Sequence, residues 1–145
     1  MKKKLPSIAS LMTPFPFAVD VNDAASVASA AMRRHEIRHL PVTDGDTLVG
    51  VVSERDLRVV LQPGRGGDPP RDPPVSEVCV REALIVELSE PLDEVLMEMA
   101  EGHFDSALVV KRGKLAGIFT TTDACRLFSE FLRDQVRLGG GSDAA

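Results

Sequence analysis

Two short strings in this sequence have the residue types and spacing of chemistry. Residues 35–39 read HEIRH, a literal H-E-x-x-H. On a continuous helix His35 and His39 would project from one face and share a zinc ion, and Glu36 would activate the metal-bound water. The second string occurs twice, as SERD at 53–56 and TTTD at 120–123. Each is S/T-x-x-D at the start of a helical pattern. The plain reading is a capping box: a hydroxyl N-cap, and a carboxylate three residues on that reaches back to the cap amide. The chemical reading is a nucleotide grip. A carboxylate is acceptor-only, so Asp56 or Asp123 can take both hydroxyls of a ribose. Ser53 or Thr120, with helix N-terminal amides, would meet phosphate.

The zinc arrangement depends on a helix that runs through residue 39. Upstream, Ala24, Val27, Ala28, Ala31 and Met32 recur at helical spacing. Downstream, Pro41 pushes Leu40 away from the helical region. HLPVT, DGDT and LVGVV then read as strand, turn and strand. The pattern ends the helix near His35 and lets His39 open a strand, so the imidazoles diverge. No third ligand stands nearby, and no nucleophile–base pair emerges elsewhere. We therefore expect no metal site, no catalytic residue and no enzyme.

The elements that must position these residues come from a duplication. HLPVTDGDTLVGVVSERDLRVVL (39–61) aligns with SALVVKRGKLAGIFTTTDACRLF (106–128) at a constant offset of 67. Val42 meets Val109, Gly50 meets Gly117 and Asp56 meets Asp123. The offset continues upstream without a gap, Val19 to Val86 and Met32 to Met99. Fixed-period self-similarity marks a repeated unit. Each copy predicts a short strand (17–19 or 84–87), then a helix N-capped by Asn22 or Ser89. Asp23 and Glu90 fall in the expected first turn, as does Pro91. A strand, a polar turn (44–46 or 111–113), another strand and a second helix complete β-α-β-β-α. Lys111 and Lys114 are expected to be solvated.

QPGRGGDPPRDPP at 62–74 has five prolines and three glycines and reads as a surface linker. The predicted divisions are a first repeat over 7–61, this linker, a second repeat over 75–133, and a disordered tail over 139–145. Leu127, Phe128, Phe131, Leu132 and Val136 are many apolar residues for a terminal helix. They either cover the core or meet a partner.

Composition narrows the function classes. The 145 residues are 43% hydrophobic and 27% charged, a soluble globular profile. A formal charge of −5 and the absence of Trp and Tyr argue against a nucleic-acid polymer or an anionic membrane as partner. No apolar run reaches the roughly 20 residues of a membrane helix. Pro6, Ser7 and Ser10 interrupt what would be the apolar part of a signal peptide after MKKK. Cys79 and Cys125 lack metal or redox spacing and read as reduced thiols in a cytoplasmic protein.

The pattern as a whole resembles a tandem pair of CBS domains, the module named after cystathionine β-synthase. The resemblance covers about residues 7 to 133. It rests on LMTP (11–14), RHLPV (38–42) and GVVSERDL (50–57), the last echoed as GIFTTTDA (117–124). It implies an α/β fold in which two repeats pack through their sheets about a pseudo-two-fold axis, and a homodimer of such pairs. It also implies clefts that hold an adenine nucleotide (AMP, ADP or ATP), S-adenosylmethionine or NAD as a regulatory ligand. By the same resemblance Asp56 and Asp123 hold ribose. Arg38 and His39 sit where relatives place a basic pair aimed at phosphate, with Arg55 a further candidate. Thr13 and Pro41 would line adenine.

The second copy departs from this pattern. Arg38 becomes Asp105, His39 becomes Ser106 and Thr13 becomes Val80. Asp105 would repel phosphate, so the two clefts are expected to be unequal. No output domain lies in these residues, which points to a separate effector protein. A structural or dimerisation module with empty clefts is the competing reading.

Overall fold

The computed structural model describes residues 5–14, 16–63, 65–67 and 69–140. In chain order the elements are α1 (Ile8–Leu11), β1 (Thr13–Pro14), β2 (Val19–Asp20), α2 (Ala25–His35), β3 (His39–Asp44), β4 (Thr47–Ser53) and α3 (Glu54–Val60). The second half continues with β5 (Leu84–Glu87), α4 (Leu92–Gly102), β6 (Ser106–Lys111), β7 (Lys114–Thr120) and α5 (Thr121–Gly140). This is the α/β arrangement of two β-α-β-β-α units.

The duplication extends into backbone detail. β2 runs parallel to β3, and β5 parallel to β6. Both hairpins are antiparallel, with a register shift between Val42 and Thr43 and again between Val109 and Val110. Both first helices end on a residue in the left-handed region, Glu36 (φ 54°) and His103 (φ 55°). These shared features lie 67 residues apart, so one local code folds twice.

The units are not separate bodies, because each lends its leading segment to the other. β1 joins the second unit's sheet, whose order is β1-β7-β6-β5, through Thr13 opposite Ile118. Val80 makes the matching bridge to Val51 of β4. Ile8 is buried with Val86, Val95 and Phe119, while Val75 is buried with Leu40, Val42 and Val52. Glycines stand where the exchanged segments cross. A methyl on Gly50 would collide with the backbone carbonyl of Val80, and one on Gly117 with the side chain of Met12.

Several local expectations are corrected. The first strand is Val19–Asp20 rather than 17–19. Neither Asn22 nor Ser89 caps a helix: the N-caps are Ala24 and Pro91, without side-chain cap bonds. Asp23 and Glu90 accordingly lie before the first turns. The reason at α2 is a competing cap from the linker. Ala25 N donates to Pro73 O at 2.8 Å, and Ser26 N donates to Asp72 Oδ1 at 2.8 Å. Asp23 Oδ2 instead accepts from Asp20 N, and Asp20 Oδ1 from Asn22 N. The linker is therefore not all free surface, since its last residues dock on α2 and Pro73 is buried. Residues 139 and 140, expected in the tail, are the last turn of α5, and 141–145 fall outside the described residues.

At the start of α5 Ala124 packs against the second core and Leu127 is half-buried, but Phe128, Phe131, Leu132 and Val136 do not cover the core. Phe128 is 59% exposed, Phe131 53% and Val136 72%. No helix of the described residues is long and apolar enough to cross a membrane.

Candidate functional site

The H-E-x-x-H string is broken as its flanking residues require. α2 stops at His35, Glu36 turns left-handed, and His39 is the first residue of β3. Phe17 stacks on the His35 ring with centroids 3.6 Å apart. The two imidazoles therefore serve different surroundings.

The same turn places Arg38 and His39 beside the start of α3. Glu54 N donates to Arg38 O at 2.8 Å, and at the equivalent place Thr121 N donates to Asp105 O at 3.0 Å. Each bond ties the first strand of a hairpin to the helix after it. Around the pseudo-axis these four corners enclose a cleft of about 500 Å³. One wall comes from the first unit: Arg38, His39, Ser53, Glu54, Arg55, Asp56 and Arg58. The other comes from His103, Phe104, Asp105, Ser106, Thr121 and Thr122. Val51, Val80 and Leu84 supply apolar lining from the crossing segments.

Five of the nine sequence-predicted site residues thus share one cleft: Arg38, His39, Ser53, Arg55 and Asp56. Thr13, Pro41, Thr120 and Asp123 do not line it. Thr13 is exposed on β1, against the last strand of the second unit. Pro41 is fully buried in β3, so it offers no surface to a ligand in this conformation. Glu54, Arg58, His103 and Phe104 line the cleft without having been singled out. The 67-residue offset carries a signal for two of them, since it pairs Glu36 with His103 and Ile37 with Phe104 beside the basic pair.

Both capping boxes are formed. Asp56 N donates to Ser53 Oγ at 3.1 Å, and Ser53 N donates back to Asp56 Oδ2 at 3.0 Å. Thr120 N donates to Asp123 Oδ2 at 2.8 Å, and Asp123 N to Thr120 Oγ1 at 3.4 Å. The carboxylates differ in their second oxygen. Oδ1 of Asp123 lies 4.0 Å from Arg126. Oδ1 of Asp56 accepts no hydrogen bond among the described residues, which leaves an open acceptor on a residue that lines the cleft.

The charges of the cleft nearly balance. Arg38, Arg55 and Arg58 oppose Glu54, Asp56 and Asp105. Arg58 donates to Glu54 at 2.9 Å, and Arg38 reaches the same carboxylate at 3.7 Å while its side chain stays 82% exposed. A pair that exposed is weak and yields readily to a ligand. Burial holds the His39 imidazole below its ordinary value, against the opposing pull of Asp105 and Asp56. A second cavity of about 600 Å³ lies between α2 and α3, lined by Met32, Arg33, Ile37, Leu57 and Leu61 among others.

A two-unit fold with an interdomain cleft of this kind defines a class, and sequence comparison agrees with it. The CBS domain profile matches residues 8–62 and 75–130, and the chain belongs to the CBS domain family. Among relatives, it is 34% identical over 118 residues to the Uncharacterized protein YlbB of Bacillus subtilis, covering 80% of this chain and 78% of that one. It is 25% identical to the L-aspartate semialdehyde sulfurtransferase of Methanocaldococcus jannaschii, spanning 88% of this chain but only 24% of the enzyme's length. The solved structures that share the fold include two with adenosyl ligands. The CBS domain pair of protein MJ0100, in complex with 5-methylthioadenosine and S-adenosyl-L-methionine, has a TM-score of 0.75 at 23% identity, covering 88% of this chain and 98% of that one. CBSX2 in complex with AMP has a TM-score of 0.70 at 26% identity, covering 86% and 97%.

Proposed function

We propose that this chain is a non-catalytic regulatory module that binds an adenine nucleotide between its two units and signals to a separate effector protein. The observation that carries the proposal is the convergence of Arg38, His39 and Asp56 in one cleft, with a carboxylate oxygen of Asp56 that has no donor among the described residues. Ribose hydroxyls would donate to Asp56. Arg38 and Arg55 would meet phosphate oxygens, and Arg38 would leave its loose pair with Glu54 to do so. A ligand that touches both walls favours one angle between the units, and that preference is the signal. AMP in CBSX2 and S-adenosyl-L-methionine in the MJ0100 pair support an adenosyl ligand of this class. The free thiols Cys79 and Cys125 support a cytoplasmic setting.

The test is a thermal-shift titration with AMP, ADP, ATP, NAD and S-adenosylmethionine, repeated on Asp56→Asn. A ligand at about 100 times its dissociation constant adds about 2.7 kcal/mol of stability. The expected result is a shift of several degrees that Asp56→Asn removes while the variant still unfolds cooperatively. Flat curves at millimolar ligand would reject the proposal.

One observation favours a second reading, a dimerisation module with empty clefts. Both capping boxes are complete without a ligand, and Phe128, Phe131, Leu132 and Val136 leave an apolar face on α5 uncovered. That face also suits a homodimer of nucleotide-binding pairs, so dimerisation alone does not separate the readings. Nucleotide binding does.

A further inference from the structure

Arg38 and Asp105 occupy equivalent places in the two units, and both face the same cleft. One wall therefore presents a guanidinium where the other presents a carboxylate. The neighbouring pairs deepen the contrast. His39 stands opposite its counterpart Ser106, and Glu54 and Arg55 opposite Thr121 and Thr122. The second wall thus has no arginine or lysine to receive a phosphate, and its only formal charge is negative. On the first wall, Glu54 already draws on both Arg38 and Arg58.

We infer that Asp105 sets the charge limit of the cleft, admitting a nucleoside monophosphate and disfavouring the di- and triphosphate. The inference rests on the nucleotide reading above and adds the ligand class. A single phosphate carries about −1.5 to −2 charges near neutral pH, which Arg38 and Arg55 can offset. A longer phosphate chain that spans the cleft would meet the opposite wall, where like charge meets like and no arginine or lysine compensates. Asp105 is well placed for a clean test. Its structural bond is made by its backbone carbonyl, which accepts from Thr121 N, and its side chain is exposed. Among the described residues the side chain makes no hydrogen bond or ion pair. Substitution there should alter the field and leave the fold intact.

The experiment is isothermal titration calorimetry of the full chain with AMP, ADP and ATP, without magnesium, at low and moderate salt. Wild type, Asp105→Asn and Asp105→Arg are compared. The expected order in wild type is AMP, then ADP, then ATP, with AMP about tenfold or more tighter than ATP at low salt. Asp105→Asn narrows the gap and Asp105→Arg closes or reverses it, chiefly by tightening ATP. Wild-type protein that binds ATP as tightly as AMP overturns the inference. A preference for AMP that survives Asp105→Arg is steric and also overturns it. Equal changes for all three ligands in Asp105→Asn would mark a structural role and overturn it too. Binding of none of the three removes the nucleotide reading together with this one, and so distinguishes that failure from the others.

Discussion

The two units share a backbone but not a surface. In the first, the cleft wall is dense with charge: Arg38, Glu54, Arg55, Asp56 and Arg58, beside the half-buried His39. In the second, Asp105 stands with Ser106, Thr121 and Thr122. The last helices differ as well. α3 has 7 residues and packs Leu57 into the core, whereas α5 has 20 and carries Phe128, Phe131, Leu132 and Val136 into solvent. Duplication preserved what folds the chain, the bulged hairpins, the left-handed helix ends and the capping boxes. It let diverge what a ligand or a partner would touch. The first unit is the better candidate for recognition, and the second for association.

The largest test of this comparison concerns the two crossing points. Gly50→Ala forces a methyl against a backbone carbonyl, while Gly117→Ala meets the flexible side chain of Met12. Overpacking of this kind costs about 1–3 kcal/mol, and a rigid obstacle belongs at the upper end. Urea unfolding should give about 3 kcal/mol for Gly50→Ala and about 1 kcal/mol for Gly117→Ala. Equal losses would mean that the two crossings yield alike, and the asymmetry would fail.

A smaller contrast lies at the first helices. Asp72→Ala removes the linker's bond to Ser26 N and should lower the melting temperature measurably. Ser89→Ala, at the expected but unused cap of the second unit, should stay within about 0.5 kcal/mol. A thermal scan of both variants decides it: matching losses would show that Ser89 does cap α4 in solution.

The smallest effect is in pH dependence. His39 is held below its ordinary 6.5 in the folded chain, mainly by burial. The unfolded chain then binds more protons, so this contribution is whole above pH 6.5 and is lost as pH falls below it. His39→Ser, which copies the second unit, should lose less stability than wild type between pH 7.5 and 5.5. Other groups contribute their own slopes. The Glu90 carboxyl is pushed up to about 7 by the neighbouring Glu98 carboxyl and acts in the opposite direction. The difference between variant and wild type isolates His39, and an unchanged slope would contradict its burial as the cause.

Much of this architecture was legible because its signals are local and repeated. Pro41 kept any helix from running through His39, although α2 stops earlier, at the left-handed Glu36, as α4 does before His103 without a proline at the equivalent Leu108. The offset of 67 residues delivered both hairpins and both capping boxes. The exchange of leading segments was not legible. Ile8, Leu11 and Met12 announce an apolar patch but not which sheet will bury it. The same limit hid the linker's cap on α2, since Asp72 lies 46 residues from Ser26 and no local pattern joins them. In the candidate site, residue types pointed to Arg38, His39 and Asp56. That Asp105 would face Arg38 across one cavity required the arrangement of the two units.

The exchanged strands also set a schedule for synthesis. Thr13 pairs with Ile118, and the segment between them must be made before the two can meet. A chain leaving the ribosome would hold Ile8, Leu11 and Met12 without their final neighbours until nearly the whole sequence is available. Closing a loop of about a hundred residues is a late and entropically costly step. The first hairpin can form early, but the second core waits for the beginning of the chain to join its end.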